Sequence, residues 1–214
     1  MALSFDKTNF YNTGITVSAA GLTNAATVSL WVKRSSTDVR APFGCNRYNP
    51  LTGDSVDQDV FTFFYVSGPW VRVNTVNTTS ATVNSGTWGT DWTHLAATYD
   101  GANLKLYING TYQAQTAATG NVVTTSSPTF WIGRRGGFVN SSWNWFGDVA
   151  EVSIWDVVLT DPEISSLGKG FSATRVRPQR LKTSSKLVRT LADSKGLSTA
   201  SGAVTASSHP RIYA

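Results

Sequence analysis

The sequence predicts an all-β chain: an antiparallel β-sandwich carrying one short helix and a basic C-terminal arm. Three observations predict it. Short runs rich in Val, Ile, Thr, Phe and Trp alternate apolar with polar residues, and turn residues separate them. Only one stretch carries the signals of a helix start. Charge is segregated: residues 1–168 hold nine Lys/Arg against twelve Asp/Glu, a net −3, whereas residues 169–214 hold nine against one, a net +8.

In order along the chain, a first strand is expected at Ala2–Asp6, then a polar turn and a short strand at 15–17. Residues 27–33 place Val28, Leu30 and Val32 on one face and Ser29, Trp31 and Lys33 on the other. Residues 38–59 contain Pro42, Gly44, Pro50 and Gly53 and read as a long irregular loop. Strands are expected at 60–66 and 70–76, around Gly68-Pro69, with a weaker one at 81–83. The segment WTHLAATYDGANLKLYINGTY (92–112) is the most informative. In it Leu104, Leu106 and Ile108 alternate with Lys105 and Tyr107, and Asn109-Gly110 suits a type I′ hairpin turn. Asp100-Gly101 reads as a similar turn. Thr129–Ile132 and residues 146–156 follow as strands. Thr160 as N-cap, an early Pro162, and Ile164 and Leu167 three apart then predict a short helix, stopped by Gly168 and Gly170.

These blocks resemble the laminin-G-like, concanavalin A-like family in order and wording. The matching pieces are ALSFD, VSLWVK, W-x-H-L-A-x-T-Y-D-G with L-K-L-Y-I-N-G, WIGR, and FGDVAEVSIWDVVLTDPEI. The resemblance covers roughly residues 2–171 and implies a jelly-roll sandwich that binds carbohydrate or protein surfaces; a minority of such proteins are glycosidases. It divides the chain into a sandwich, 1–170, and an attachment arm, 171–214. RVRPQ and the final HPRIYA look like the ends of laminin-G-like proteins encoded by bacteriophages.

Composition narrows the function classes. A chain of 214 residues suffices for one β domain with an appendage. Cys45 is the only cysteine, which excludes an intrachain disulfide and a four-cysteine zinc site. No apolar run approaches a membrane span. The opening MALSFDKTNF lacks the basic patch and apolar stretch of a signal peptide, so synthesis in a host cytoplasm is expected if Met1 is the native start.

Several constellations are candidates for chemistry. Retaining glycoside hydrolysis needs two carboxylates about 5 Å apart. Asp148 and Glu151, three apart on a strand, point to opposite faces by alternation and do not supply them. His94 follows Trp92 as the start of a strand and reads as a hydrogen-bonded framework residue rather than a triad member. No cofactor is implied. Asp54, Asp57 and Asp59 offer hard oxygen ligands that would suit calcium, though an acidic solvated loop is the ordinary reading. For sugar binding the candidates are Trp70, Arg134, Arg135, Trp143, Asn144 and Trp145, since an indole stacks on a sugar's C–H face while Arg and Asn bond its hydroxyls. The alternative is that these tryptophans fill the core.

The tail supplies docking candidates. Arg175, Arg177, Arg180, Lys182, Lys186 and Arg189 would lie on an acidic partner, with Val176, Leu181 and Leu187 as apolar grip. The resulting expectation is a non-enzymatic virion structural protein. It would decorate or cement a phage capsid, or serve as a tail or fibre subunit, in contact with phage capsid or tail proteins and with symmetric copies of itself. The alternative is a lectin-type module for a host or environmental glycan. A membrane role is not indicated, and nucleic-acid binding would rest on a tail that lacks interleaved aromatics.

Overall fold

The computed structural model describes residues 2–35, 40–48, 55–78, 81–87, 89–124, 128–136, 143–185, 205–208, 210 and 212, with backbone alone at 47–48, 55–58 and 205–207. Within these, fourteen strands run in chain order: β1 (Ala2–Asp6), β2 (Tyr11–Thr16), β3 (Ala26–Arg34), β4 (Arg40–Tyr48), β5 (Ser55–Tyr65), β6 (Pro69–Val73), β7 (Ala81–Asn84), β8 (Thr93–Tyr99), β9 (Asn103–Ile108), β10 (Thr111–Ala117), β11 (Thr129–Ile132), β12 (Phe146–Trp155), β13 (Leu181–Ser185) and β14 (Thr205–Ser207). Helix α1 (Asp161–Gly168) follows β12.

Among the described residues the strands form two antiparallel sheets. One has the order β10-β9-β8-β3-β12-β1-β14 with β13 on β12; the other has β2-β11-β4-β5-β6-β7. The core fills the space between them. Val28, Leu30 and Val32 of β3, together with Leu104, Leu106 and Ile108 of β9, meet Phe43, Phe61 and Phe63 of the opposite sheet. The Phe43 and Phe130 rings stack at 5.4 Å between centroids. Period-two alternation predicted the inward faces of β3 and β9, because each strand has one face to bury. Asn109 (φ 50°) and Gly110 (φ 78°) both adopt the left-handed conformation the β9–β10 turn requires. The upstream turn works differently: the Asp100 Oδ1 accepts the backbone N–H groups of Ala102 and Asn103, an Asx turn.

A second, smaller apolar cluster lies on the outer face of the larger sheet. Ile164 and Leu167 of α1 close over Ala96, Tyr107 and Trp155. Tyr107 does turn away from the main core, as alternation required, yet it is buried beneath α1 and its hydroxyl donates to Asp161 at 2.8 Å. Burial, reinforced by that hydrogen bond, pushes its phenol up to about 12. Glu163 reaches back to accept the Thr160 backbone N–H at 2.7 Å and the Thr160 hydroxyl at 2.9 Å, which anchors the helix start.

Several regions differ from expectation, among them β2, which spans Tyr11–Thr16 where a polar turn and a strand at 15–17 were expected. Residues 40–48 and 55–59, expected as loop, form β4 and the start of β5; Gly44 and Pro42 disguise a strand whose Phe43 and Cys45 enter the core and whose Ala41 is likewise fully buried. The chain also continues the body past residue 170. Val176 and Leu181 are buried in the cluster under α1, the Trp155 Nε1 donates to the Val176 carbonyl at 2.8 Å, and β13 pairs with β12 from Val152–Ser185 to Trp155–Leu181. The apolar grip expected of Val176 and Leu181 is thus closed inside this chain, because the outer face of β12 needs their cover. Arg177 pairs with Glu163 at 2.6 Å, and Arg180 and Lys182 pair with Asp156 at 2.9 and 2.8 Å, so these cations neutralise acids of the body. Arg175 is exposed. Lys186, Leu187 and Arg189 lie outside the described residues.

Candidate functional site

The site begins with an irregularity in β5. Cys45 stands opposite Phe61, but Asn46 stands opposite Asp59, so β5 carries one extra residue there. Val60 and Phe61 therefore both enter the core, and Asp59 emerges on the outer face of the smaller sheet. There its carboxylate is completely buried. Arg135 grips it bidentately, Nε to Oδ1 and Nη2 to Oδ2, both at 2.7 Å. Arg72 Nη1 donates to Oδ2 at 3.1 Å, and Asn46 and Thr62 donate to Oδ1 at 3.1 and 3.3 Å. Two guanidinium groups thus share one carboxylate. This corrects the calcium expectation at Asp59: both oxygens are held by cations, which a metal ion would have to displace. Asp54 lies outside the described residues, and Asp57 is described by its backbone alone.

Arg135 reaches Asp59 because the segment after β11 folds back across the outer face of β4. Gly44, opposite Trp131, lies directly beneath this crossing, and a Cβ on Gly44 would stand 2.7 Å from the Arg135 carbonyl carbon. Gly136 (φ 133°) passes equally close over Asn46. The crossing sends two consecutive arginines to different partners. Arg134 lies 4.3 Å over the Phe10 ring and 5.2 Å from Trp131; Arg135 lies 4.8 Å over Trp143 and 5.5 Å from Phe64.

On the Arg135 side the face opens into a cavity of about 330 Å³, lined by Phe64, Val66, Trp70, Arg72, Arg135 and Trp143. Cross-strand pairing sets its floor: Phe64 stands opposite Trp70, and Thr62 opposite Arg72. Phe64 and Trp143 meet edge-on, 6.4 Å between centroids. Arg72 is braced by Thr82, which accepts from Nε at 3.0 Å. Its Nη2 has no protein partner among the described residues, and the side chain keeps 20% exposure. Two half-buried indoles therefore stand over a doubly cationic floor carrying a single negative charge, an arrangement that favours a flat apolar face edged with hydrogen-bond acceptors.

A family model described as the concanavalin A-like lectin/glucanases superfamily, of the third laminin-G type, matches residues 8–165. The chain belongs to this superfamily. No curated protein sequence matches it significantly. Among solved structures, this concanavalin A-like chain resembles a Bacteroides ovatus protein provisionally described as carbohydrate-binding, with TM-score 0.72, 18% identity, and coverage of 99% of this chain but 61% of that one. It also resembles the CBM40 of the Ruminococcus gnavus IT-sialidase bound to α2,3-sialyllactose (TM-score 0.60, 15% identity, 78% and 94% covered). A third likeness is to a heptameric pentraxin from Limulus polyphemus (0.56, 19%, 78% and 80%). At these identities the likenesses establish the concanavalin A-like fold.

Of the sugar-binding candidates, the structure brings Trp70, Arg135 and Trp143 together and adds Arg72, Phe64 and Val66. The other candidates go elsewhere. Trp145 is buried in the main core, 1% exposed, with Nε1 donating to the Asp148 carbonyl. Asn144 is buried and donates to the Lys7 carbonyl at 2.7 Å. Arg134 joins Phe10 and Trp131 beyond the crossing, and burial lowers its pKa from the usual guanidinium value. Arg72 was legible only through its alternation with Val71 and Val73.

His94 is fully buried, with Nε2 2.8 Å from the Ser29 hydroxyl and its ring 5.3 Å from Trp31. Among the described residues its Nδ1 has no hydrogen-bond partner and no carboxylate orients it. Burial drives its pKa down to about 3. Glu151 sits at a register shift between Ala150 and Ser153 with φ 52°, so simple alternation does not place it relative to Asp148.

Proposed function

We propose that this concanavalin A-like chain is a carbohydrate-binding module, and that the cavity between Trp70 and Trp143 is its sugar pocket. The observation that carries the reading is the pairing of two half-buried indoles with the Arg72 and Arg135 guanidinium groups on one exposed sheet face. The indoles stack on the ring face of a sugar, and the guanidiniums donate to its oxygens. The Bacteroides and Ruminococcus neighbours, one described as carbohydrate-binding and one holding sialyllactose, support the same class. On this reading the module binds without cleaving: among the described residues lining the cavity none is a carboxylate, and Asp59 beneath them is held by two arginines. A glycan array tests this. Saturable binding that is lost in Trp70→Ala and Trp143→Ala supports the assignment; no binding across the array, or binding unchanged in both variants, refutes it.

Attachment to a larger particle, a virion by the likeness of RVRPQ and HPRIYA, is a second and separate proposal. Its support is Arg175, exposed and without an ion pair among the described residues, together with the sequence positions Lys186, Arg189, Lys195 and Arg211 outside them. Arg175→Glu should lower co-sedimentation with such particles, and unchanged co-sedimentation would remove this support.

A further inference from the structure

We propose that Phe10, Trp131 and Arg134 form a second sugar subsite on the same sheet face, and that the ligand spanning both subsites is a carboxylate-bearing glycan chain. This rests on the carbohydrate reading above. Trp131 lies between the buried Phe130 and Ile132 on β11 and so faces outward, half-buried. The Phe10 ring packs beside it at 5.6 Å and 58°. Arg134 packs against both rings, only 8% exposed. Among the described residues its buried Nε has no hydrogen-bond partner and no carboxylate pairs with it. The acid nearest in sequence to Phe10, Asp6, instead accepts from Thr8 and Asn9. A guanidinium flanked by rings and lacking an acid is a poor choice for stability alone, since a buried charge needs a counter-charge. A ligand carboxylate would supply it.

Position and charge extend the argument. Trp131 on β11 and Trp70 on β6 are separated by β4 and β5 in the sheet order, three strand spacings or about 14 Å. One monosaccharide does not bridge them. Along that line stand Arg134, Arg135 and Arg72, and among the described side chains Asp59 is the acid paired with them, so the described track is cationic. A neutral glycan gains nothing from this excess, whereas a chain bearing repeated carboxylates does.

The test is calorimetric titration of the full chain with oligouronates and oligosialosides of two to six units, beside uncharged gluco-oligosaccharides of equal length. The expected result is affinity that rises with length for the acidic series and exceeds the neutral series by about tenfold or more. Trp131→Ala and Arg134→Gln should weaken the six-unit acidic ligand by about tenfold while leaving the two-unit ligand unchanged. Trp143→Ala should weaken both. Phe10→Ala, just before β2, serves where Trp131→Ala disturbs folding, and thermal melting verifies each variant. Equal affinity for charged and neutral chains, or six-unit binding unaffected by Trp131→Ala and Phe10→Ala, overturns the second subsite and leaves the first pocket standing. Failure of the unmodified chain to bind either series, together with a blank glycan array, removes both.

Discussion

Arg135 lies across Gly44. The backbone of the crossing segment rests on a position of β4 that has no side chain, and this lets the Arg135 guanidinium descend onto Asp59. The bulge in β5 raises the carboxylate to meet it. A missing Cβ on one strand and an extra residue on the next together place a cationic floor between Trp70 and Trp143.

Gly44→Ala should therefore lift the crossing and loosen the Arg135 contact. The expected cost is about 1–3 kcal/mol of stability, as for other overpacked sites. Glycan affinity should fall with it, and chemical denaturation beside titration calorimetry reads both.

Asp59→Asn leaves two guanidinium groups without their shared anion. Removing one partner of a buried ion pair typically costs about 3–5 kcal/mol. Urea unfolding should show a loss of that size, and a loss below about 1 kcal/mol would mean that water screens the cluster.

The three tryptophans of the candidate set should separate cleanly. Trp70→Ala and Trp143→Ala should reduce glycan affinity by about tenfold with little change in melting temperature. Trp145→Ala should cost about 3–5 kcal/mol of stability, since it empties a core position. Loss of affinity in Trp145→Ala without loss of stability would contradict its placement in the core.

His94 is neutral in the fold, its pKa held at about 3 against 6.5 for the free side chain. Between those values the unfolded chain binds a proton that the folded chain does not. Its contribution to stability is thus complete above pH 6.5 and declines as pH falls toward 3, by at most about 1.4 kcal/mol per pH unit. Equilibrium unfolding of the parent and of His94→Gln should differ in slope over this window and run parallel above it.

Leu181→Ala should destabilise the chain by about 2–5 kcal/mol, and removal of residues 172–214 by more, because Trp155 loses its cover and β12 loses a partner. Melting temperatures of the two variants decide this. A truncated chain as stable as the parent would mean that the tail only touches the body.

Much of the sandwich could be read from alternation, because each strand has one face in the core. β3, β9 and the Asn109-Gly110 turn are legible for that reason, whereas the register shift in β12 puts Val149 in the same core as Val152 and Ile154, which alternation does not. β4 was not legible, since Gly44 is selected by a backbone crossing it and its polar neighbours gave no alternating outer face. β13 was hidden by its composition: Lys182, Thr183, Ser184 and Ser185 carry no apolar stripe, and Leu181 alone faces the cluster. Of the pocket, Trp70 and Trp143 could be found as indoles near turns. The role of Asp59 could not, because it depends on a one-residue register shift that no local pattern announces.

The two chain-end strands, β1 and β14, lie side by side in the larger sheet, and the pocket opens on the outward side of the smaller one. A tether placed on β1 or β14 would therefore attach to the sheet that lies across the core from the Trp70–Trp143 cleft, so that immobilisation and ligand entry fall on different sheets.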